Sequence, residues 1–183
     1  MRIVGGRYRG LRLKAPADDR VRPTTDRVRE SLFNILAHRD PPVLVGAVVL
    51  DLFAGTGALG LEALSRGAGK AVFVDRDPAS LALVRENVAA LRAGDLCELV
   101  RADAASLPPR PLGATLVFLD PPYGKSLAPQ ALSSAAAGGW LAPGALAVIE
   151  TGAEDEAALP AGFIQVDARR YGTVRIVCAQ YGP

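Results

Sequence analysis

Residues 48–60, Val48-Val49-Leu50-Asp51-Leu52-Phe53-Ala54-Gly55-Thr56-Gly57-Ala58-Leu59-Gly60, decide the fold of this chain. The apolar run at 48–53 predicts a strand, the glycines predict a tight turn, and the apolar residues that follow predict a helix. Glycine lets a backbone approach a ligand closely, and the N-terminus of a helix presents free N–H groups. We therefore predict a ligand-binding turn between a strand and a helix, with Phe53, Gly55 and Gly57 among its binding residues.

The ligand of this turn is indicated by two carboxylates. Asp75 ends the next predicted strand, about 20 residues after the glycines, where a carboxylate can accept hydrogen bonds from a ribose diol. The motif Gly55-x-Gly57-x-x-Gly60 also matches the fingerprint of nicotinamide dinucleotide sites. Asp51, however, would repel a pyrophosphate and attract the cationic amino and sulfonium groups of S-adenosylmethionine. The sequence therefore favours a methyl donor, with a dinucleotide as the alternative.

A second motif, Asp120-Pro121-Pro122-Tyr123, follows the apolar strand-like run at 115–119. Proline fixes its own backbone and favours an extended residue before it, so the Asp120 carboxylate and the neighbouring carbonyls are held in place. Tyr123 offers a flat face on which a planar base can stack. We predict that Asp120 and the Pro121 carbonyl bind the exocyclic amino group of a base; an ordinary turn after a strand is the alternative.

Strands and helices alternate through most of the chain, which predicts an α/β fold with a largely parallel sheet and helices on both faces. Residues 163–171 and 173–179 predict a closing antiparallel hairpin around Gly172. Ligands of such sheets bind outside the carboxyl ends of the strands. Asp51, Asp75, Asp103 and Asp120 each lie at or just after a predicted strand end, so we expect four carboxylates on one rim.

Composition indicates one compact domain spanning residues 1–183. Half of the residues are apolar and 22% are charged, as in ordinary globular proteins. No apolar run approaches the ~20 residues of a membrane span, and the N-terminal residues lack the apolar core of a signal peptide. The two cysteines and the single histidine have no metal-ligand spacing. We expect a cytoplasmic monomer without a metal ion.

The charge is distributed unevenly along the chain. Residues 1–39 contain ten Lys or Arg and four Asp or Glu, a net +6. Because the whole chain carries +2, the remaining residues carry −4. A basic N-terminal extension on an acidic body is typical of proteins that bind the phosphate groups of a nucleic acid. The alternative is a basic surface that is only solvated. The RNA-binding candidates in this extension are Arg7, Arg9, Arg12, Arg22 and Arg27.

The extension also has predicted structure. Residues 2–6 and 8–13 favour a small β-hairpin with glycines at its bends. Thr24 or Thr25 can cap a helix in which Val28 and Leu32 begin an apolar face. Thr25, at the start of this helix, is close enough to its basic neighbours to form an anion site for a carboxylate or phosphate. We include Thr25 among the cofactor-binding candidates.

With these motifs in place, the chain resembles the RsmD family of bacterial 16S rRNA (guanine-N2)-methyltransferases, within the class I S-adenosylmethionine-dependent methyltransferases. The resemblance covers nearly the whole chain, in residues 2–10, 22–36, 51–57 and 120–123. The last two segments occur in many methyltransferases, whereas the N-terminal segments are specific to this family.

The resemblance implies a Rossmann-like seven-stranded sheet whose last strand is antiparallel, with S-adenosylmethionine as the donor. It also implies methylation of the N2 amino group of one guanine, guanine 966 of 16S rRNA, in a small ribosomal subunit or its assembly intermediate. Asp120, Pro121 and Tyr123 would be catalytic, whereas Asp51, Asp75 and Asp103 would bind the donor.

Two other classes of function remain open. A DNA or RNA methyltransferase acting on adenine N6 or cytosine N4 would use the same Asp-Pro-Pro-Tyr motif, although 183 residues leave little room for a separate target-recognition domain. A non-enzymatic RNA-binding or assembly factor could use the same fold, but it would not need the glycine turn together with Asp120 and Tyr123.

Overall fold

The computed structural model describes residues 1–16, 25–122, 127–155 and 158–182. Within these residues there are four α-helices and seven β-strands. In chain order they are α1 (Asp26–Ala37), β1 (Val48–Leu52), α2 (Ala58–Ser65), β2 (Lys70–Asp75), α3 (Pro78–Ala90), β3 (Cys97–Arg101), β4 (Ala114–Leu119), α4 (Leu127–Ala137), β5 (Leu141–Gly152), β6 (Phe163–Tyr171) and β7 (Val174–Tyr181). Helices and strands alternate from α1 to β3 as predicted, whereas among the described residues no α-helix separates β3 from β4 or divides the last three strands.

The seven described strands form one sheet in the order β3-β2-β1-β4-β5-β7-β6. Strands β1 to β5 are parallel, whereas β7 is antiparallel to both β5 and β6. The chain order reverses at β1, which lies between β2 and β4, and such a switch point opens a crevice at the carboxyl ends of the strands. The predicted α/β class, the closing hairpin and the antiparallel last strand are confirmed.

Two apolar layers cover the sheet. Helices α1, α2 and α3 pack on one face, where the rings of Phe33 and Phe118 lie 5.5 Å apart. Helix α4 packs on the other face through Ala131 and Leu132. Consecutive strand residues alternate between the two layers, as the two-residue period of a β-strand requires. In the described residues, no helix is long and apolar enough to cross a membrane.

The turn between β1 and α2 needs its glycines for two different reasons. Gly57 has φ 76°, a left-handed conformation that side chains disfavour, and it forms the N-cap of α2. Gly60 lies on the first turn of α2, where an added Cβ would come within 2.4 Å of the Phe73 ring. Gly60 therefore allows α2 to pack closely on β2.

The N-terminal extension folds back on α2. A single antiparallel bridge joins Arg2 and Arg12, and a 3-10 helix at Gly6–Tyr8 occupies the turn between them. The predicted hairpin is thus present as one bridge rather than as two strands. Ile3 and Leu13 are buried in the core. Because these apolar residues are buried, residues 1–13 of the extension pack against the α2 side of the sheet.

Buried polar contacts fasten the extension further. Glu62, fully buried on α2, accepts hydrogen bonds from Val4 N (2.8 Å) and Arg66 Nε (2.8 Å). Arg29 is also buried and forms an ion pair with Asp26 at 2.7 Å. Arg29 therefore adds to the charge of residues 1–39 without being accessible to a ligand. The extension presents less basic surface than its sequence suggests.

Candidate active site

A cavity of about 450 Å³ opens at the carboxyl ends of β1 to β4. Its volume is in the range of sites that enclose small organic ligands. The residues that line it are Phe53, Val74, Asp75, Arg76, Asp77, Ser80, Ala102, Asp103, Ala104, Asp120, Pro121, Pro122 and Leu127. Five of the predicted site residues, Phe53, Asp75, Asp103, Asp120 and Pro121, thus meet in one cavity.

Asp75 connects β2 to the glycine turn. Its Oδ2 accepts a hydrogen bond from Gly55 N at 3.0 Å, and its Oδ1 accepts one from Asp77 N at 2.9 Å. Each carboxylate oxygen has two lone pairs, so both retain one acceptor site for a ligand hydroxyl. Phe53, beside this carboxylate, has φ 62°, an uncommon conformation for an aromatic residue that occurs mainly at tight turns. The wall around Asp75 is therefore rigid.

Two further aspartates that line the cavity, Asp77 and Asp103, cap helices. Asp77 accepts a hydrogen bond from Ala79 N (2.9 Å) at the start of α3. Asp103 accepts one from Ala105 N (2.9 Å), where a 3-10 helix follows β3. Capping locks both carboxylates in position. Asp103 is exposed, so it can also accept a hydrogen bond from a ligand.

Asp51 lies beneath the cavity rather than in its wall. It is 2% exposed, and its Oδ2 accepts a hydrogen bond from Gly60 N at 2.9 Å. Burial raises the pKa of Asp51 from 3.8 to about 7; the Gly60 hydrogen bond lowers it, and the charge of Asp75 raises it. A cationic ligand would stabilise the ionised form of Asp51, whereas an anionic ligand would oppose it.

Asp120 follows β4 and is half-buried at the cavity. Leu119 pairs with Ile149, so Asp120 and Glu150 follow side by side on neighbouring strands. Burial raises the pKa of Asp120 well above its usual range, and the charges of Glu150 and Asp51 raise it further. This group of carboxylates favours a ligand that brings positive charge or N–H donors.

Glu150 is a buried carboxylate beside Asp120 that the motifs did not identify. It is 5% exposed and lies on the same face of β5 as Val148. A carboxylate directly after an apolar strand segment is the signal that identified Asp120, and Glu150 has the same context. Carboxylates at the ends of apolar strand segments therefore indicate buried charges that the Asp-Pro-Pro-Tyr motif alone does not identify.

The other cofactor candidates do not line the cavity. Gly55 contributes its N–H to Asp75, and Gly57 packs against Phe73 and Val84. Thr25 caps α1, because its hydroxyl accepts a hydrogen bond from Val28 N at 3.3 Å. A contact between Thr25 and the donor stays a prediction. Tyr123, which is predicted to stack on the base, lies outside the described residues.

The basic candidates lie on the N-terminal extension. Arg9 and Arg27 line a separate recess of about 320 Å³, whose full lining is Arg2, Ile3, Val4, Arg9, Gly10, Asp26, Arg27 and Glu30. Arg7 places its guanidinium 4.5 Å from the centre of the Tyr8 ring. Arg12 is exposed beside Arg2. Arg22 is outside the described residues.

The volume of the cavity and the side chains around it fit S-adenosylmethionine. Its volume is sufficient, Asp75 and Asp103 offer acceptors for hydroxyl groups, and the carboxylates around Asp51 favour a cation. Asp75 and Asp103 would hold the nucleoside part, and Asp51 would act electrostatically from below. The described residues contain no group of three His, Cys, Asp or Glu that could hold a metal ion.

Comparison with known proteins identifies relatives over nearly the full length. The model of the family described as Conserved hypothetical protein 95 matches residues 1–180. Ribosomal RNA small subunit methyltransferase D of Escherichia coli K12 is 44% identical over 156 residues, which cover 85% of this chain and 76% of that protein. The protein of the same name from Haemophilus influenzae is 34% identical over 178 residues, covering 95% and 90%.

Solved structures agree with the fold. The structure of yhhF from Escherichia coli superimposes with a TM-score of 0.83 at 38% identity, covering 100% of this chain and 98% of that one. An RNA methyltransferase from Salinibacter ruber, in complex with S-adenosylhomocysteine, has a TM-score of 0.66 at 18% identity over 87% and 94% of the two chains, a likeness of fold alone. The chain therefore has the class I methyltransferase fold and belongs to the RsmD family, described as Conserved hypothetical protein 95.

Proposed function

We propose that this protein transfers a methyl group from S-adenosylmethionine to the N2 amino group of one guanine in 16S rRNA of the small ribosomal subunit. The observation that carries the proposal is the position of Asp120, a half-buried carboxylate at the same cavity as Asp75 and Asp103. One end of the cavity suits a nucleoside donor, and the other presents a hydrogen-bond acceptor to an amine. The relatives named above as rRNA methyltransferases support the choice of rRNA.

Asp120 has the central role in this mechanism. The nitrogen of an exocyclic amino group is a weak nucleophile, so alignment accounts for much of the rate. The Asp120 carboxylate and the Pro121 carbonyl accept hydrogen bonds from the two N–H groups and turn the nitrogen lone pair toward the donor. As the nitrogen bonds to the methyl carbon, the bond from that carbon to sulfur breaks and positive charge develops on the nitrogen. A fixed acceptor in a dry site stabilises that charge. The surplus N–H proton then passes to Asp120, whose raised pKa suits a proton acceptor.

The donor end contributes binding and orientation. S-adenosylmethionine, when bound, supplies an electrophilic methyl group. Asp75, held by two backbone N–H groups, accepts hydrogen bonds from the ribose hydroxyls, and Asp103 contacts the nucleoside farther along the rim. Asp51 stabilises a cationic head group from beneath the glycine turn. Tyr123 is proposed to stack on the base, which must leave its stack to enter the pocket.

The basic extension is proposed to bind rRNA phosphates. Arg7, Arg9, Arg12 and Arg27 are exposed, and Arg9 and Arg27 line one recess. Arg22 is included from its sequence position. Because the extension packs on α2, it and the sheet would act as one domain spanning residues 1–183. An rRNA substrate would place this activity in the cytoplasm.

The test is to incubate the protein with labelled S-adenosylmethionine and small subunits from a strain lacking the corresponding enzyme, and then to map the label. We expect one guanine labelled on N2, and binding of S-adenosylhomocysteine but not of NAD in calorimetry. Naked 16S rRNA and duplex DNA serve as comparison substrates. Label on adenine N6 or cytosine N4, or no transfer to any RNA, would contradict the proposal.

A further inference from the structure

The β6–β7 hairpin brings a second basic surface to the edge of the sheet that holds the active site. Gly152, at the end of β5, pairs with Val174, and Val174 pairs with Tyr171 on β6. The hairpin turn at Gly172 therefore lies at the carboxyl edge of the parallel strands. In the sheet order β2-β1-β4-β5-β7-β6, the hairpin is on the far side of Asp120 from Asp75. It adjoins the end of the site that would receive the RNA.

Two arginines face each other on this hairpin. Arg170 on β6 pairs directly with Arg175 on β7, and Arg175 pairs with Thr151 on β5. Directly opposed residues on neighbouring strands place their side chains on the same face of the sheet. Like charges in this arrangement destabilise a sheet, so folding alone does not account for the pair. An anion bound by both guanidinium groups would remove the repulsion.

The acidic partners of these arginines are weak competitors for such an anion. Arg170 forms an ion pair with Glu154 at 2.5 Å, but the Glu154 side chain is 83% exposed. The neighbouring Arg169 pairs with Asp167 at 3.1 Å, but these two side chains lie on the other face of the hairpin. Exposed ion pairs contribute little stability because water and salt screen them. A phosphate, which accepts paired hydrogen bonds from guanidinium, can therefore replace the Glu154 carboxylate at Arg170.

The charge of the hairpin differs from that of its surroundings. Residues 163–182 contain three arginines and one acid, a net +2. Residues 40–183 carry a net charge of −4, so the residues of this range that lie outside the hairpin carry a net charge of −6. A polyanion that approaches Asp120 is repelled by most of the body and attracted by the hairpin.

The hairpin is also joined to the basic N-terminal extension. Ser31 Oγ on α1 donates a hydrogen bond to the Tyr171 hydroxyl at 3.1 Å. Arg27 lies four residues before Ser31, on the same face of α1, and lines the recess that contains Arg9. Tyr171 lies on the α1 face of the sheet, whereas Arg170 and Arg175 lie on the opposite face, so the extension and this arginine pair reach the carboxyl edge of the sheet from different faces.

We propose that Arg170 and Arg175 bind phosphates of the RNA backbone next to the target nucleotide. This inference rests on the proposed function, in which the substrate is rRNA. A nucleotide that leaves its stack to reach Asp120 has a backbone on both of its sides. The extension binds one side and the hairpin binds the other. Arginine suits this role because its planar fork matches two phosphate oxygens.

The test uses Arg175→Glu, which places an acid opposite Arg170. The hairpin exchanges a repulsive pair for an attractive one, so the melting temperature should stay equal or rise. Small-subunit affinity, titrated across a salt series, should fall on the order of tenfold, with the slope of log K against log salt smaller by about one. The KM for subunits should rise while S-adenosylhomocysteine affinity stays unchanged. Arg175→Lys, which keeps the charge but loses the planar fork, should retain the salt slope and lose part of the affinity.

The matched control is Arg85→Glu, which makes the same charge change at an exposed position of α3. If Arg175→Glu and Arg85→Glu change the salt slope and the KM equally, the hairpin surface is overturned while wild-type methylation of rRNA still supports the proposed function. If the wild-type protein transfers no methyl group to rRNA, the proposed function fails, and this surface fails with it.

Discussion

The carboxylate of Asp51 accepts a hydrogen bond from the backbone N–H of Gly60, with 2.9 Å between Asp51 Oδ2 and Gly60 N. The bond joins the carboxyl end of β1 to the first turn of α2 and closes the glycine turn between them. An added Cβ at Gly60 would lie 3.1 Å from the same carboxylate oxygen. The turn that identifies the fold is therefore held by a buried carboxylate, which we propose also acts on the donor electrostatically.

Gly60→Ala should lower the free energy of unfolding by about 1–3 kcal/mol, the usual cost of overpacking a core. The new methyl group would come within 2.4 Å of Phe73 Cε1 and would push α2 away from β2. Urea denaturation measures the change. Gly94→Ala is the control, because an added Cβ there meets no atom within 4 Å, and its stability should be close to wild type. Equal stability of the two variants would contradict the packing role.

Asp51 should make stability depend on pH. Its folded-state pKa of about 7 lies above the ordinary value of 3.8, so the folded protein binds the extra proton between these values. The stability that this proton contributes is fully present below pH 3.8 and is lost as pH rises through about 7. Urea denaturation at pH 5 to 8 measures the free energy of unfolding of the wild type and of Asp51→Asn. Relative to the variant, the wild-type value should fall by at most about 1.4 kcal/mol per pH unit.

Binding of a cationic donor should have the opposite pH dependence. Ionised Asp51 attracts the donor, so the affinity for S-adenosylmethionine should increase from pH 6 to pH 8, and Asp51→Asn should lose most of this increase. Calorimetry at each pH measures both proteins. A variant that binds with the wild-type pH profile would show that Asp51 has no electrostatic role in donor binding.

Asp120→Ala should separate catalysis from donor binding. Asp120 is proposed to hold the acceptor amine, so its removal should reduce kcat by on the order of 10² to 10³. The affinity for S-adenosylhomocysteine, measured by calorimetry, should change little because Asp75 and Asp103 are untouched. A folded Asp120→Ala protein with near-normal turnover would refute the role of this carboxylate.

Glu62→Gln should loosen the N-terminal extension. Glu62 is fully buried and bonds to Val4 N and Arg66, with Arg29 Nε at 3.9 Å. Removing one member of a buried charge group leaves the others uncompensated, at a cost of about 3–5 kcal/mol in the free energy of unfolding. Hydrogen exchange of the Val4 amide should accelerate. Glu86→Gln, in the exposed pair with Lys14, should change stability by less than about 1 kcal/mol.

Replacing Arg7, Arg9 and Arg12 together with alanine should weaken binding to the small subunit without changing donor affinity. All three are exposed, and none lines the donor cavity. Each lost phosphate contact should reduce the salt slope by about one, and the KM for subunits should rise. Titrations of wild type and variant across a salt series measure this. An unchanged slope would mean that the charge of the extension is only a solvated surface.

The local elements could be read from the sequence because each depends on neighbouring residues. The glycine turn after β1, the Thr25 cap of α1 and the turn at Gly172 are all produced by residues within a few positions of one another. The same holds for the carboxylates at strand ends, since parallel strands align their carboxyl ends at one edge. Asp75, Asp103 and Asp120 were therefore predicted to meet, and they line one cavity.

Whether each charged side chain is buried or exposed could not be predicted from its neighbours in the sequence. The sequence alone suggests that Arg29 adds to the surface charge of the extension. In the structure it is buried next to Glu62, which lies 33 positions farther along the chain. Asp51 and Asp75 both end apolar strands, yet only Asp75 lines the cavity, because α2 covers Asp51. The sequence by itself determined the order of the elements and the carboxylates at the strand ends, because turn chemistry and periodicity act over a few residues. Only the tertiary structure decided which charges are buried and that Arg170 pairs with Arg175 at the carboxyl edge of the sheet, because burial and sheet order depend on residues far apart in the chain.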